Sequence, residues 1–566
     1  MMRRFILASG FKILTGSFLV LTIAIMARGN SASAEPFTPL QRIERWMGIL
    51  DETDVGAPVD YGQGPGVKPI AEIPTRKLAM EQMAAPRVTS NRVPRVNAAA
   101  SIAGVFGAAV TWPLNPIHMV LLPDGRVLNY GTSATGAQGA RLIYDIWNPA
   151  LGTGTNAHLA LPNTTKTDIF CGAQAVMLSG EVLTSGGDLT VNGVRNSANN
   201  TTSIFSPTGN SIAANTPMNY ARWYGSLVAL PNGELAIFGG RQNVGALTPA
   251  LPATTPELYD PAGRSWTPLT GATNSAAFGI NWYYPRAFVA PGGNIFVVSN
   301  TGLLFYTSTA GAGSTTQSNV RAPLGSVALP TVPFAPGKAL SLRANQAVVV
   351  IDYRTSTPVV TPTASMDQIR FWASGSIMAD GRVLINGGSE VQNVLTGVAY
   401  QAQIWDPNTG RWTPAAIATK PRLYHSNAML LADGTVITAG GGAPGPVNNL
   451  NAEIYYPPYL FAADGTAAVR PVISSVASTY LSPGDTLNIT VGPTESISRL
   501  TFIRTGSATH SSNSDQRFID LAFAQEGQNV TAKLPADITT LVPGYYMVFA
   551  FNAAGTPSQA SIVQVM

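Results

Sequence analysis

"GSLVALPNGELAIFGG", Gly225–Gly240, decides the fold of this chain. Two apolar runs flank a Pro-Asn-Gly turn, and the second run ends on Gly-Gly. Strand-forming runs joined by so short a Gly-containing turn read as a β-hairpin. The pattern returns as "HMVLLPDGRVLNYG" (118–131), "QAVMLSGEVLTSGG" (174–187), "AFVAPGGNIFVVSN" (287–300), "GSIMADGRVLINGG" (375–388) and "NAMLLADGTVITAGGG" (427–442). Turn glycines fall at Gly125, Gly180, Gly233, Gly292, Gly381 and Gly434. One interval is too wide, and "FAPGKALSLRANQAVVVIDY" (334–353), with Gly337, fills it as a degenerate copy. That makes seven units.

A further strand follows many hairpins, as in "ELYDPAGRSWTPL" (257–269) and "AQIWDPNTGRWTPA" (402–415). One such sheet cannot bury both faces alone, so the units must pack on their neighbours. A tandem β-solenoid would satisfy that need. The period of roughly 55 residues lies near that of kelch blades, and with the Gly-Gly ends it favours radial closure into a β-propeller. The expected fold is therefore all-β: a seven-bladed kelch-type β-propeller over 105–462. After Tyr459 the period stops, and short alternating strands such as "RPVISSVASTYLSPGDTLNITV" (470–491) predict an immunoglobulin-like β-sandwich over 463–566.

The amino terminus reads differently. Arg3 and Arg4 precede an apolar stretch, 13–27, and then Ala32-Ser33-Ala34. That layout predicts a signal peptide over 1–34, with an uncleaved anchor as the alternative. Residues 35–104 read as a Pro-rich extension. The mature protein is expected to be secreted or periplasmic, without a membrane span. Charged residues are 11% of the chain and the net charge is only +4, without basic clusters, which argues against nucleic acid. Exported chains often use disulfides, yet Cys171 is the sole cysteine, so none can form within the chain.

No zinc-protease motif, phosphate loop or nucleophile elbow is present. Candidates must come from unusual residues, among them four histidines in all. Tyr424 and His425 in "PRLYHSNAMLL" (421–431) precede a strand. Adjacent strand residues point to opposite faces, so the two can address one atom only where the strand begins. Imidazole and phenolate suit Cu(II), although a packed tyrosine beside a satisfied histidine is the commoner arrangement.

Four segments shift that balance: "DIFCGAQAVMLSG" (168–180), "ARWYGSLVALPNG" (221–233), "RLYHSNAMLLADG" (422–434) and "GSATHSSNSDQR" (506–517). In order and in residue type they resemble the active-site segments of the galactose oxidase/glyoxal oxidase family of copper radical oxidases. The resemblance runs from about residue 105 to 566. It implies one copper ion held by Tyr224, Tyr424, His425 and His510, and a Cys171–Tyr224 thioether carrying a radical. Tyr224, Cys171 and Tyr424 would be catalytic, with Tyr424 as base. His510 would reach the propeller on a loop from the C-terminal domain. The implied reaction oxidises a primary alcohol or small aldehyde, a carbohydrate among the candidates, and reduces O2 to H2O2.

There are departures as well. The tryptophan that covers the crosslinked tyrosine in galactose oxidase is matched here by Gln242, leaving Trp223, Trp282 or Trp372 as substitutes. Tyr284 and Trp372 are expected near the pocket, with Arg286 a weaker choice. Asp515 and Gln516 are expected either to orient His510 or to form a turn. His118 and His158 read as structural or solvent-facing. The competing reading is a non-catalytic kelch propeller that binds envelope glycans or a protein partner.

Overall fold

The computed structural model describes residues 93, 94, 96–191, 194–242 and 250–566. The expected signal peptide and nearly all of the extension lie outside them. Seven antiparallel sheets follow one another in chain order, and each repeat hairpin supplies the first two strands of a blade. Blade 3 is typical: Trp223–Ala229, Leu235–Arg241, Glu257–Asp260 and Ser265–Pro268 pair in sequence. Blades 2, 4, 5, 6 and 7 begin at Ala173–Val176, Arg286–Val289, Thr331–Ala335, Ser374–Ile377 and Ser426–Leu430, and blade 1 at His118–Leu121.

Inner strands are buried on both faces, which is why they read as unbroken apolar runs. Each fully buried aliphatic side chain in them contributes about 1.5–3 kcal/mol. Outer strands alternate instead, as Ser314–Arg321 does. The first strands of blades 2 and 3, 3 and 4, 5 and 6, 6 and 7, and 7 and 1 touch. The ring is completed where Gln174 of blade 2 donates to Met119 O of blade 1 at 3.3 Å and where Phe288 of blade 4 stacks with Tyr353 of blade 5. Every repeat turn glycine has positive φ, from 72° at Gly337 to 90° at Gly292, which other L-residues adopt only with strain.

Two connections escape the repeat pattern. Val105–Phe106 and Val110–Thr111 pair with Asn451–Tyr456, so the amino-terminal side completes blade 7 and fastens the ring. A hairpin, Asp188–Val191 with Val194–Ala198, is inserted in blade 2. Among the described residues no helix is long and apolar enough to cross a membrane.

The C-terminal unit is a sandwich of two sheets around Leu487, Ile489, Leu500, Phe502, Tyr546 and Val548. From its long strand Ile497–Arg504 the chain runs into a hairpin, Ser507–Thr509 and Ser512–Asn513. The hairpin pairs with the inner strand of blade 1 and makes that sheet six-stranded. It also touches the inner strands of blades 2, 5, 6 and 7, and thus fills the ring's centre.

Candidate metal centre

The Gly-Gly ends prepare the site. Gly187 N donates to Arg222 O at 3.0 Å, and Gly388 N to Arg422 O at 2.7 Å. Each contact docks one blade against the segment leading into the next inner strand. A Cβ on Gly387 would sit 2.5 Å from Arg422 O, so no larger residue fits without displacing that segment.

Where those segments enter the inner strands, the chain adopts the left-handed conformation at non-glycine residues. Cys171 (φ 57°), Tyr224 (68°), Tyr284 (37°), Trp372 (64°) and His425 (69°) share it there, and His510 (47°) adopts it at the turn of the C-terminal hairpin. Such positions cost about 1–3 kcal/mol each and persist only where surroundings over-determine them. The surroundings here are hydrogen bonds between blades: Tyr224 N to Cys171 O at 2.9 Å and Tyr284 N to Tyr224 O at 2.8 Å. In blade 3 Trp223 pairs with Arg241 and Gly225 with Gly239, so Tyr224 falls opposite Gly240 with the register kept on either side. His425 precedes the strand that starts at Ser426, so strand alternation does not separate it from Tyr424. Their rings stack at 3.8 Å.

Five side chains from four separate parts of the sequence converge. Tyr224 Oη and Tyr424 Oη lie 2.8 Å apart. Cys171 Sγ is 3.6 Å from His510 Nε2. One ligand atom each from Cys171, His425 and His510 fall within 4.8 Å of one another. The His425 and His510 rings meet edge-on at 4.6 Å, and those of Tyr224 and His510 at 5.4 Å. Of the five, Tyr424 is the most accessible at 5%.

Electrostatics keep the imidazoles neutral. Burial lowers the His425 pKa to about 3. His510 is pushed well below its ordinary value, first by burial and then by the nearby His425, His118 and Arg286. His425 Nδ1 donates to Gly442 O at 2.8 Å, so its lone pair is on Nε2, buried and without a protein partner. His510 Nδ1 lies 2.5 Å from Thr509 Oγ1, leaving Nε2 toward the cysteine. Backbone and hydroxyl partners that fix the outer nitrogen are what a metal-ligating histidine requires. Two neutral imidazoles with two phenols and a thiol suit copper in both oxidation states, and the orphaned Nε2 of His425 has the place such an ion would fill.

Other expected residues divide. The face of Tyr224 is covered by Trp223 at 4.0 Å, with Trp282 at 6.1 Å, whereas Gln242 donates to Pro252 O at 3.1 Å. Arg241 lies 4.0 Å over the Trp223 ring. Trp372 packs on Tyr424 at 4.5 Å, and Tyr284 on His510 at 4.6 Å while donating to Gly172 O. Arg286 is buried and clamps backbone, donating to Val327 O at 2.9 Å and to His510 O at 3.4 Å. Gln516 accepts from Ile377 N, and Thr509 takes the orienting role at His510. Asp515 lines a small cavity with Arg504 and Arg517.

Sequence reading missed Tyr283. Its hydroxyl donates to Tyr424 Oη at 3.1 Å, and its ring lies 4.3 Å from that of Tyr224. The doubled tyrosine Tyr283-Tyr284 is the available signal, of which the sequence comparison points only to Tyr284. His118, expected to be structural or solvent-facing, is fully buried, and its Nε2 accepts from Cys171 N at 3.1 Å. His158 does prove structural: it pairs with Asp145 at 2.8 Å and packs edge-on against Trp112.

Comparison with known proteins agrees with this architecture. Residues 470–565 match the model of the "Galactose oxidase-like, Early set domain". The chain is 26% identical to galactose oxidase of Gibberella zeae over 82% of its own length and 70% of that protein's. It is likewise 26% identical to aldehyde oxidase GLOX of Vitis pseudoreticulata, over 73% of this chain and 84% of that one. A solved fungal alcohol oxidase, described as having catalytic diversity and as being in complex with copper, superposes with a TM-score of 0.72 at 25% identity. That match covers 82% of this chain and all of the other. Residues 470–565 thus carry a galactose oxidase-like early set domain, and the propeller, the sandwich and the hairpin between them make the chain similar as a whole to galactose oxidase-type proteins.

Proposed function

We propose that the protein is a copper radical oxidase that converts a primary alcohol or small aldehyde with O2 to its oxidised product and H2O2, and that it works outside the cytoplasm. The observation that carries the reading is the convergence of Tyr224, Tyr424, His425, His510 and Cys171 at one buried point. Tyr224, Tyr424, His425 and His510 would hold the ion, and a Cys171–Tyr224 thioether would serve as the second redox centre. Copper, when bound, supplies a one-electron acceptor and a Lewis acid.

The chain's own groups do the rest. Removing two electrons from an alcohol needs a partner for a one-electron metal, and a sulfur-substituted phenol with aromatic rings around it is suited to that task. Trp223 and Tyr283 pack on Tyr224 and exclude water from it. Tyr424 is the group a substrate hydroxyl can reach, and its Oη is within hydrogen-bond distance of both Tyr283 and Tyr224. It would take the hydroxyl proton as base. Tyr224, as a phenoxyl, would then take hydrogen from the carbon. Trp372, packed on Tyr424, would form a wall of the approach.

A peroxide assay across galactose, glycerol, benzyl alcohol, glyoxal and methylglyoxal tests the reading. Turnover of at least one by the copper-loaded protein, abolished in Tyr224→Phe, is the expected result. Copper binding without peroxide from any of them contradicts it.

A further inference from the structure

We propose that His118 is a positioning residue whose ring replaces a missing backbone acceptor and holds Cys171 in the turn from which its sulfur is joined to Tyr224. This rests on the radical-oxidase reading above.

The left-handed residues of blades 3, 4 and 6 share one device. Each gives its N–H to a carbonyl of the preceding blade: Tyr224 N to Cys171 O at 2.9 Å, Tyr284 N to Tyr224 O at 2.8 Å, and Trp372 N to Ala328 O at 2.7 Å. In blade 2 the N–H of Cys171 points instead to a side chain, His118 Nε2 in blade 1, at 3.1 Å. An accepting nitrogen carries no proton, so the ring proton is on Nδ1. Burial, followed by the nearby His425, lowers the His118 pKa to about 3 and keeps the ring neutral.

The ring cannot turn away. It stacks on Tyr130 at 4.4 Å with the planes 7° apart, and Tyr130 Oη donates to Gln174 Oε1. On the channel side it meets the edge of His510 at 5.7 Å. His118 therefore starts a relay that continues through the peptide groups of Cys171, Tyr224 and Tyr284. Without that acceptor the Cys171 amide would lose this buried hydrogen bond while the residue stayed in a strained turn, and both costs favour its swinging out.

In the step that depends on this placement, a ring C–H of Tyr224 and the S–H of Cys171 break and one C–S bond forms. Two protons and two electrons leave, and dioxygen takes them up as H2O2.

The test follows full-length protein loaded with Cu(II) in air, by intact mass and by thiol alkylation over time. Wild type is expected to become two hydrogens lighter and lose alkylation at Cys171. His118→Leu, which has no acceptor, should do so at least about tenfold more slowly, and His118→Gln, whose amide oxygen can accept, within about threefold of wild type. A merely structural role would not be rescued by glutamine in this way. If wild type keeps its mass, the parent reading fails and the proposal with it. If wild type crosslinks and His118→Leu matches its rate, the proposal alone is overturned. Should His118→Leu not fold, as read by urea unfolding, His118→Gln decides: a folded glutamine variant more than about tenfold slow overturns the hydrogen-bond role.

Discussion

Glu453→Ala should be among the most damaging single substitutions far from the donor set. Arg422, two residues before Tyr424, pairs with Glu453 at 3.0 Å, and both side chains are at most 1% exposed. Arg422 also donates to Gly440 O at 2.9 Å and Asn451 O at 3.1 Å, and Glu453 accepts from Thr419 N at 2.7 Å. Alanine would keep the guanidinium buried without a counter-charge, which costs about 3–5 kcal/mol. The orphaned Thr419 amide adds about 1–3 kcal/mol unless water replaces the carboxylate. Urea unfolding followed by tryptophan fluorescence reads the cost as a midpoint shift at constant slope. The control is Asp352→Ala in the Asp352–Arg354 pair, at 2.6 Å but with Arg354 57% exposed, where solvent screening leaves only a small fraction of the cost expected at Glu453. Arg422→Met combined with Glu453→Leu should recover most of the stability, since the apolar pair leaves no charge unpaired. Copper affinity should follow the same order, because Arg422 leads directly into Tyr424 and His425. A cost for Glu453→Ala as small as the control's would refute the reasoning.

Further outcomes follow from the site itself. Tyr424→Phe keeps the packing on Trp372 but removes the base, and kcat should fall about 10²–10⁴-fold with the fold unchanged by circular dichroism. Cys171→Ser should abolish both the mass change and peroxide production while copper still binds, since the thiol is not among the proposed ligands. The copper-free protein should lose stability in acid. His118 and His425 titrate near 3 in the fold, chiefly because of burial, but near 6.5 when unfolded, so the unfolded chain binds more protons between those values. Stability is therefore complete above about pH 6.5 and falls toward pH 3 by up to about 1.4 kcal/mol per pH unit per imidazole. His425→Gln should flatten the slope measured by urea unfolding from pH 7 to 4, and a flat wild-type profile would contradict it. Gly387→Ala should lower both thermal stability and copper affinity, because its Cβ would strike Arg422 O.

Much of this architecture was legible in the sequence, because the repeat is written in residues with one physical use. The turn glycines all take positive φ, and the Gly-Gly ends are where neighbouring blades approach too closely for a Cβ. Inner strands buried on both faces gave apolar runs that could be counted. Closure of blade 7 by Val105–Phe106 and Val110–Thr111 was not legible, since two-residue strands carry no periodic signal. The donor residues were found by resemblance of four segments, and their geometry could not be read from propensity. Cys171, Tyr224, His425 and His510 occupy left-handed positions that no local rule assigns to such side chains. Strand alternation correctly warned that Tyr424 and His425 diverge on a strand, and the structure resolves this by starting the strand only at Ser426. Gln242 was matched to the covering tryptophan by its place after Gly-Gly, yet the cover comes from Trp223, the residue before Tyr224 on the same strand. Tyr283 and His118 act across blades, and their partners lie 141 and 53 residues away. Pairings of that kind are set by ring closure, which a one-dimensional pattern does not contain.

Anomalous diffraction at the copper edge from crystals of copper-loaded protein tests the central claim most directly. A single peak bonded to His425, His510, Tyr224 and Tyr424, with continuous density from Cys171 Sγ to the Tyr224 ring, is the expected result. A peak elsewhere, or His425 Nε2 and His510 Nε2 both left without metal at full copper loading, would contradict it.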